Sequence, residues 1–264
     1  MNSAIERKTC TAADGVPIVY STAGLVEPAL VFIHGGLANR SFWDGELNAF
    51  AAHHHVIAPD LPGHGESGIN RRRWGIPEFG VDICSVLKTE GVKRVVLFGN
   101  SLGGPVAIEA ALLLADSVLG VVGVDTFQSL TYTISAEDAK KQADAFRADY
   151  AASLRQMVKQ LFHRDADPAF LADAERRMAY TAPEAAYSMF LSLAGYDTSE
   201  SARRLNAPLR AINGDLYPTD VEGVRKVKAD FDVVIMKHMG HYPMLERPEE
   251  FDRHVADVVR ALHS

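Results

Sequence analysis

Short apolar runs alternate with longer stretches of helical periodicity through the first half of the chain. The runs are Ile18 to Thr22 (IVYST), Ala29 to His34 (ALVFIH), Val56 to Asp60 (VIAPD), Arg94 to Gly99 (RVVLFG) and Val118 to Asp125 (VLGVVGVD). Several show no polar alternation, which predicts strands buried on both faces. Helical patterns lie between them, at about 42–52, 76–90 and 102–115. This β-α-β-α order predicts an α/β domain whose sheet is mostly parallel, with helices on both faces.

The rhythm stops after Asp125. From about Phe127 to Arg204 no convincing strand is found, and the segment is alanine-rich and helical, with Pro168 and Pro183 as helix starts. The strand–helix rhythm resumes with Leu209 to Gly214 (LRAING), Asp232 to Met236 (DVVIM) and a last helix from about Pro248 to Leu262. The expected organisation is a core made of residues 1–126 and 205–264, interrupted by a helical insertion over 127–204. The insertion leaves the sheet at the C-terminal edge of a strand, where open α/β sheets bind ligands.

Composition narrows the classes. The chain has 264 residues, 47% of them hydrophobic, with a formal net charge of −7. That is the balance of a soluble protein and speaks against nucleic acid as a partner. Arg71-Arg72-Arg73 is the one local basic run, read as a solvated loop with an anion site as the sharper alternative. Cys10 and Cys84 have neither metal-ligand spacing nor the number needed for a disulfide framework, so a reduced, cytoplasmic setting is expected. No apolar h-region opens the chain, and no apolar run reaches the ~18 residues of a membrane span. His53-His54-His55 has no accompanying carboxylate or cysteine spacing and reads as a solvated turn; no metal is expected there or elsewhere.

The stretch FGNSLGG, Phe98 to Gly104, carries the chemistry. Gly99-Asn100-Ser101-Leu102-Gly103 places one serine between two glycines, after a strand and before a helix. Side chains at the glycine positions would crowd a tight strand-to-helix turn, and the turn lifts a serine hydroxyl to a helix N-terminus. Ser101 is the candidate nucleophile. It needs a base, and His241 follows the last strand, behind Ser101 in chain order; His238 sits at the strand end and has no such support.

With these motifs the chain resembles the α/β-hydrolase fold superfamily. HGG (His34 to Gly36), PDLPGHGES (Pro59 to Ser67), GNSLGG and GHYPMLERPEEF (Gly240 to Phe251) occur in that family's order. The resemblance covers nearly the whole chain. It implies an α/β-hydrolase fold with an eight-stranded, mostly parallel sheet, the 127–204 insertion as a helical cap, Ser101 as nucleophile and His241 as base. It also implies an oxyanion hole from the backbone N–H groups of Gly36 and Leu102. His34 is assigned to loop support.

The acid departs from the commonest family arrangement, which puts it three residues after the glycine that ends the penultimate strand. That position is Tyr217. A second family arrangement puts the acid after the strand that follows the nucleophile helix, which is Asp125. Asp125 is preferred, with Asp215 and Asp220 as alternatives, both otherwise suited to turn or N-cap duty.

The expected function is a serine hydrolase that cleaves a small, fairly apolar carboxylic ester, thioester or lactone through an acyl-enzyme, with a small-molecule substrate and no cofactor. Alternatives with the same constellation are a C–C bond hydrolase, a perhydrolase-type haloperoxidase and a cofactor-free dioxygenase. A ligand receptor with vestigial hydrolysis is the alternative outside enzymology. Trp43, Phe162, Met178, Tyr187 and Phe190 are candidate pocket residues. Substrate identity and oligomeric state are left open.

Overall fold

The apolar runs assemble into one eight-stranded sheet with strand order β1-β2-β4-β3-β5-β6-β7-β8. The strands are β1 (Glu6–Thr11), β2 (Pro17–Ala23), β3 (Ala29–Ile33), β4 (Val56–Pro59), β5 (Val95–Asn100), β6 (Val118–Val124), β7 (Leu209–Gly214) and β8 (Asp232–Met236). β2 is antiparallel to both neighbours; every pairing from β4 to β8 is parallel. The computed structural model describes residues 4–263, so the outermost residues of the expected core, 1–3 and 264, lie outside it.

Burial explains the central strands. Every residue of β3, β4 and β5 is buried. Such strands must be covered on both faces, and helices α1 (Asp44–Phe50), α2 (Ile76–Glu90), α3 (Gly103–Leu114) and the later α11 (Pro248–His263) do this. α11 is amphipathic and buries Phe251, Val255 and Val259 at helical spacing. β1 was absent from the expected elements. Only Cys10 of its residues is buried, so this edge strand has none of the apolar signal that marks the others.

Between β6 and β7 the described chain is helical: α4 (Ala136–Ala148), α5 (Tyr150–Gln160), α6 (Pro168–Met178), α7 (Pro183–Ser192) and α8 (Thr198–Arg204). Pro168 and Pro183 open α6 and α7, where a missing N–H costs nothing. Ser135, Asp149, Asp167 and Asp197 cap the N-termini of α4, α5, α6 and α8 through their side chains. Side chains tie this insertion to the core loops. Thr181 Oγ1 donates to the Leu37 carbonyl at 2.9 Å, Arg177 Nη1 to the Ser41 carbonyl at 2.7 Å, and Asn39 Nδ2 to the Arg177 carbonyl at 2.8 Å. Tyr196 and Ser201 both donate to Glu109 Oε1 at 2.6 Å, which pins α8 to α3. After β7 come α9 (Val221–Val227) and, beyond β8, the single turn α10 (Pro243–Glu246). Among the described residues no helix is long and apolar enough to cross a membrane.

The basic run differs from the expected solvated loop at its first residue. The Arg71 side chain is only 3% exposed, held by the carboxylates of Asp14 and Asp82 and lying over the rings of Trp74 and Phe79. Its partners are far along the chain, which is why the local sequence reads as solvated. The histidine tract forms the expected turn but is solvated only at its start: His53 is exposed, His54 Nδ1 is hydrogen-bonded to the Pro28 carbonyl, and His55 is buried with its Nε2 against Thr22 Oγ1.

Candidate active site

Parallel register brings four chain segments to one sheet edge. Gly99 lies beside Ile33, Asn100 beside Val124, and Gly214 beside Met236. The residues just past these strand ends are therefore neighbours, and they include Gly36, Ser101, Asp125 and, after a longer loop, His241.

Ser101 occupies a left-handed backbone conformation, with φ of 52°. A Cβ at Gly99 would collide with the Gly103 carbonyl, and one at Gly103 with the Ile33 carbonyl, so both glycines are required by the close approach of backbone. Leu37 and Asp125 also have positive φ, 62° and 44°. Three non-glycine residues at one edge thus hold conformations that cost ~1–3 kcal/mol each, the kind of strain that clusters at functional sites.

Asp125 is buried, and its carboxylate is satisfied by hydrogen bonds. Oδ2 is 2.5 Å from His241 Nδ1, Oδ1 accepts from the Gly214 N–H at 3.0 Å, and Gln128 Nε2 donates to Oδ1 at 3.3 Å. Asp215 and Asp220 are engaged elsewhere. Asp215 accepts from the Met239 N–H and pairs with His163, and Asp220 caps α9 through the Gly223 N–H at 2.9 Å. Of the three candidate acids, Asp125 is the one that contacts His241. His238 projects away from this edge and pairs with Asp165.

The loop that carries His241 is clamped from both sides. The His241 N–H donates to the Leu161 carbonyl of the insertion at 2.7 Å. On the other side Asn100 Nδ2 donates to the His241 carbonyl at 3.0 Å and to the Val124 carbonyl at 2.9 Å. Asn100 was not among the expected site residues. Its signal was there to be found: a fully buried amide ends an otherwise apolar strand, and such a group needs partners.

The N–H groups of Gly36 and Leu102 donate to no protein acceptor among the described residues. Both residues line the same cavity as Ser101 and His241. A Cβ at Gly36 would stand 3.2 Å from Met189 Sδ, so glycine keeps this wall open. His34 lies beneath the loop, fully buried. Its Nε2 accepts from the Leu61 N–H at 2.9 Å and its Nδ1 is 2.7 Å from the Gly35 carbonyl. Burial pushes its pKa down to about 4 and that of its ring neighbour His64 to about 3. Both are neutral props under ordinary conditions.

The cavity above Ser101 has a volume of about 600 Å³. A second, of about 410 Å³, also reaches Ser101 and Leu102 and shares Tyr132, Ile134 and Leu193 with the first. A larger cavity of about 720 Å³ lies against the Arg71 loop and touches none of the strand-end residues. Of the candidate pocket residues, Met178 and Phe190 line the 600 Å³ cavity. Three do not line either space at Ser101. Trp43 is fully buried between Phe32 and Phe251, with ring centroids 5.3 and 6.3 Å away. Phe162 packs on Tyr242, and Tyr187 lies under the Arg147 guanidinium. Their apolar bulk is spent on joining elements. Gln128, Gln142, Gln160, Met157 and Met189 take their place in the wall.

The model of the alpha/beta hydrolase family matches residues 30–254 of this chain. Over 84 residues the chain is 37% identical to an uncharacterized protein of Mycobacterium tuberculosis, and the match covers 32% of this chain but only 25% of that one. It is 24% identical to 3-oxoadipate enol-lactonase 2 of Acinetobacter baylyi, over 96% of this chain and 97% of the other. A thermophilic esterase from Thermogutta terrifontis superposes with a TM-score of 0.87 at 21% identity, covering 98% of this chain and 100% of that one.

Proposed function

The chain belongs to the alpha/beta hydrolase family, and from that premise we propose that it is a serine hydrolase of a small, fairly apolar carboxylic ester, thioester or lactone. The observation that carries this reading is the Asp125–His241 contact of 2.5 Å beside a strained Ser101 in one cavity. Full-length similarity to an enol-lactonase, and the likeness of fold to an esterase, support the same class.

The chemistry follows from the atoms. Asp125 holds the proton of His241 on Nδ1, which leaves Nε2 as the basic nitrogen. Nε2 takes the Ser101 hydroxyl proton as Oγ attacks the substrate carbonyl carbon. The carbonyl oxygen becomes an oxyanion, held by the N–H groups of Gly36 and Leu102; one such donor is worth ~2.7–4 kcal/mol of barrier. Collapse of the tetrahedral intermediate breaks the bond to the leaving oxygen or sulfur, which takes the proton from His241. Water then repeats the sequence on the acyl-enzyme, and Ser101 is restored. The helical insertion acts as a cap that bounds the substrate space from above the sheet edge.

Intact mass after brief exposure to a fluorophosphonate tests the reading. The wild-type protein should gain one adduct and Ser101→Ala none. A folded wild-type protein that gains no adduct, or an adduct that survives Ser101→Ala, refutes it.

A further inference from the structure

The walls of the two cavities at Ser101 carry almost no charge. Apart from Asp125 and His241 themselves, every residue lining either space is uncharged. The cations that α4 and α5 do carry are committed or turned outward. Lys140 pairs with Asp144, Arg155 with Glu175, and Arg147 lies over the Tyr187 ring, while Lys141 and Lys159 are exposed. The other polar side chains that line the 600 Å³ cavity are neutral: the amides of Gln128, Gln142 and Gln160 and the hydroxyls of Thr126, Tyr132, Tyr217 and Tyr242, set among Met157, Met178 and Met189. Methionines adapt to flexible apolar chains, and amides can serve a neutral oxygen or N–H of a ligand.

We propose, resting on the hydrolase reading above, that this site selects an uncharged ester or lactone whose two arms occupy the two cavities meeting at Ser101, and that it excludes substrates bearing a carboxylate on either arm. The physical reason is desolvation. A carboxylate drawn past the exposed Tyr132, Tyr217 and Gln160 towards Ser101 would leave water for a wall that offers no cation, and would do so beside the buried carboxylate of Asp125. A neutral chain pays neither cost and gains by burying its own apolar surface. The two cavities meet at the nucleophile because an ester extends in two directions from its carbonyl carbon. Both arms are subject to the same exclusion, since neither wall holds a lysine or arginine.

The test compares p-nitrophenyl hexanoate with mono-p-nitrophenyl adipate. The two have the same acyl length and leaving group and differ by a terminal methyl against a terminal carboxylate. The neutral ester should show kcat/KM greater by ~100-fold, the scale on which an unmatched group is rejected by a pocket. Gln142→Arg, which puts a cation on the wall, should raise kcat/KM for the acid ester by ~10-fold and shrink the ratio. Similar kcat/KM for the two esters on the wild-type protein overturns the charge selection and leaves the hydrolase reading standing. Turnover of neither ester, with no fluorophosphonate adduct on Ser101, removes the hydrolase reading and this inference with it.

Discussion

Exchange of Asp125 for asparagine tests its proposed role as the acid with the least disturbance of shape. Asp125 Oδ1 accepts from the Gly214 N–H at 3.0 Å and Oδ2 meets His241 Nδ1 at 2.5 Å. In Asp125→Asn the amide oxygen can keep the Gly214 contact, so the strand ends stay joined. The amide nitrogen then faces His241 Nδ1 and donates to it, which moves the imidazole proton to Nε2. The base is lost from the nitrogen that should face Ser101, and the imidazolium formed in the transition state loses its buried counter-charge. Breaking a buried charge pair costs ~3–5 kcal/mol, which at ~1.36 kcal/mol per decade corresponds to ~10²–10⁴ in rate. The tautomer change adds to this, so kcat is expected at the upper end, ~10⁴ lower. The assay is ester turnover at saturating substrate, with Tm measured on the same samples. Asp220→Ala is the control. It removes the α9 cap and should lower stability by ~0.5–2 kcal/mol while leaving kcat near wild type. Near-normal turnover in Asp125→Asn, or an equal loss in Asp220→Ala, refutes the assignment of Asp125.

Two further outcomes are expected. Glu46 is fully buried in α1, with no hydrogen-bond partner for either carboxylate oxygen among the described residues, and burial first, then Asp252 and Asp44, hold its pKa well above the ordinary value. The folded state binds this proton more tightly than the unfolded state, so the stability it lends is present below the ordinary carboxylate range and is lost as pH rises towards the folded pKa. Urea unfolding should show wild-type stability falling by up to ~1.4 kcal/mol per pH unit relative to Glu46→Gln in that window; parallel pH profiles would remove the claim. Asn100→Ala takes the clamp from the His241 carbonyl and should lower kcat by ~10-fold with little change in KM, since the base loop shifts while the cavity wall does not. An unchanged kcat, or a loss confined to KM, would show that Asn100 does not position the base.

The core was legible because its signals are local. Uninterrupted apolar runs become strands buried on both faces, and the spacing of two glycines around Ser101 reflects a collision with backbone only a few residues or one strand away. Chain order alone puts His241 at the same edge, because parallel strands deliver every strand end to one side. The candidate acid needed more: Tyr217 stands at the commonest family position, Asp125 was reached only through a second family arrangement, and its contact with His241 spans 116 residues. The cavity wall was least legible for the same reason. Trp43, Phe162 and Tyr187 are as apolar as Met178 and Phe190, yet the first three pack elements together and the last two line the cavity at Ser101. Which face of an insertion helix meets the void depends on how five helices settle against each other and on loop contacts such as Thr181 to Leu37 and His241 to Leu161. The reaction class is therefore written at strand ends, in short motifs that fix backbone shape. On the proposal above, substrate choice is written across helices that are distant in sequence, in the charges their facing sides leave out.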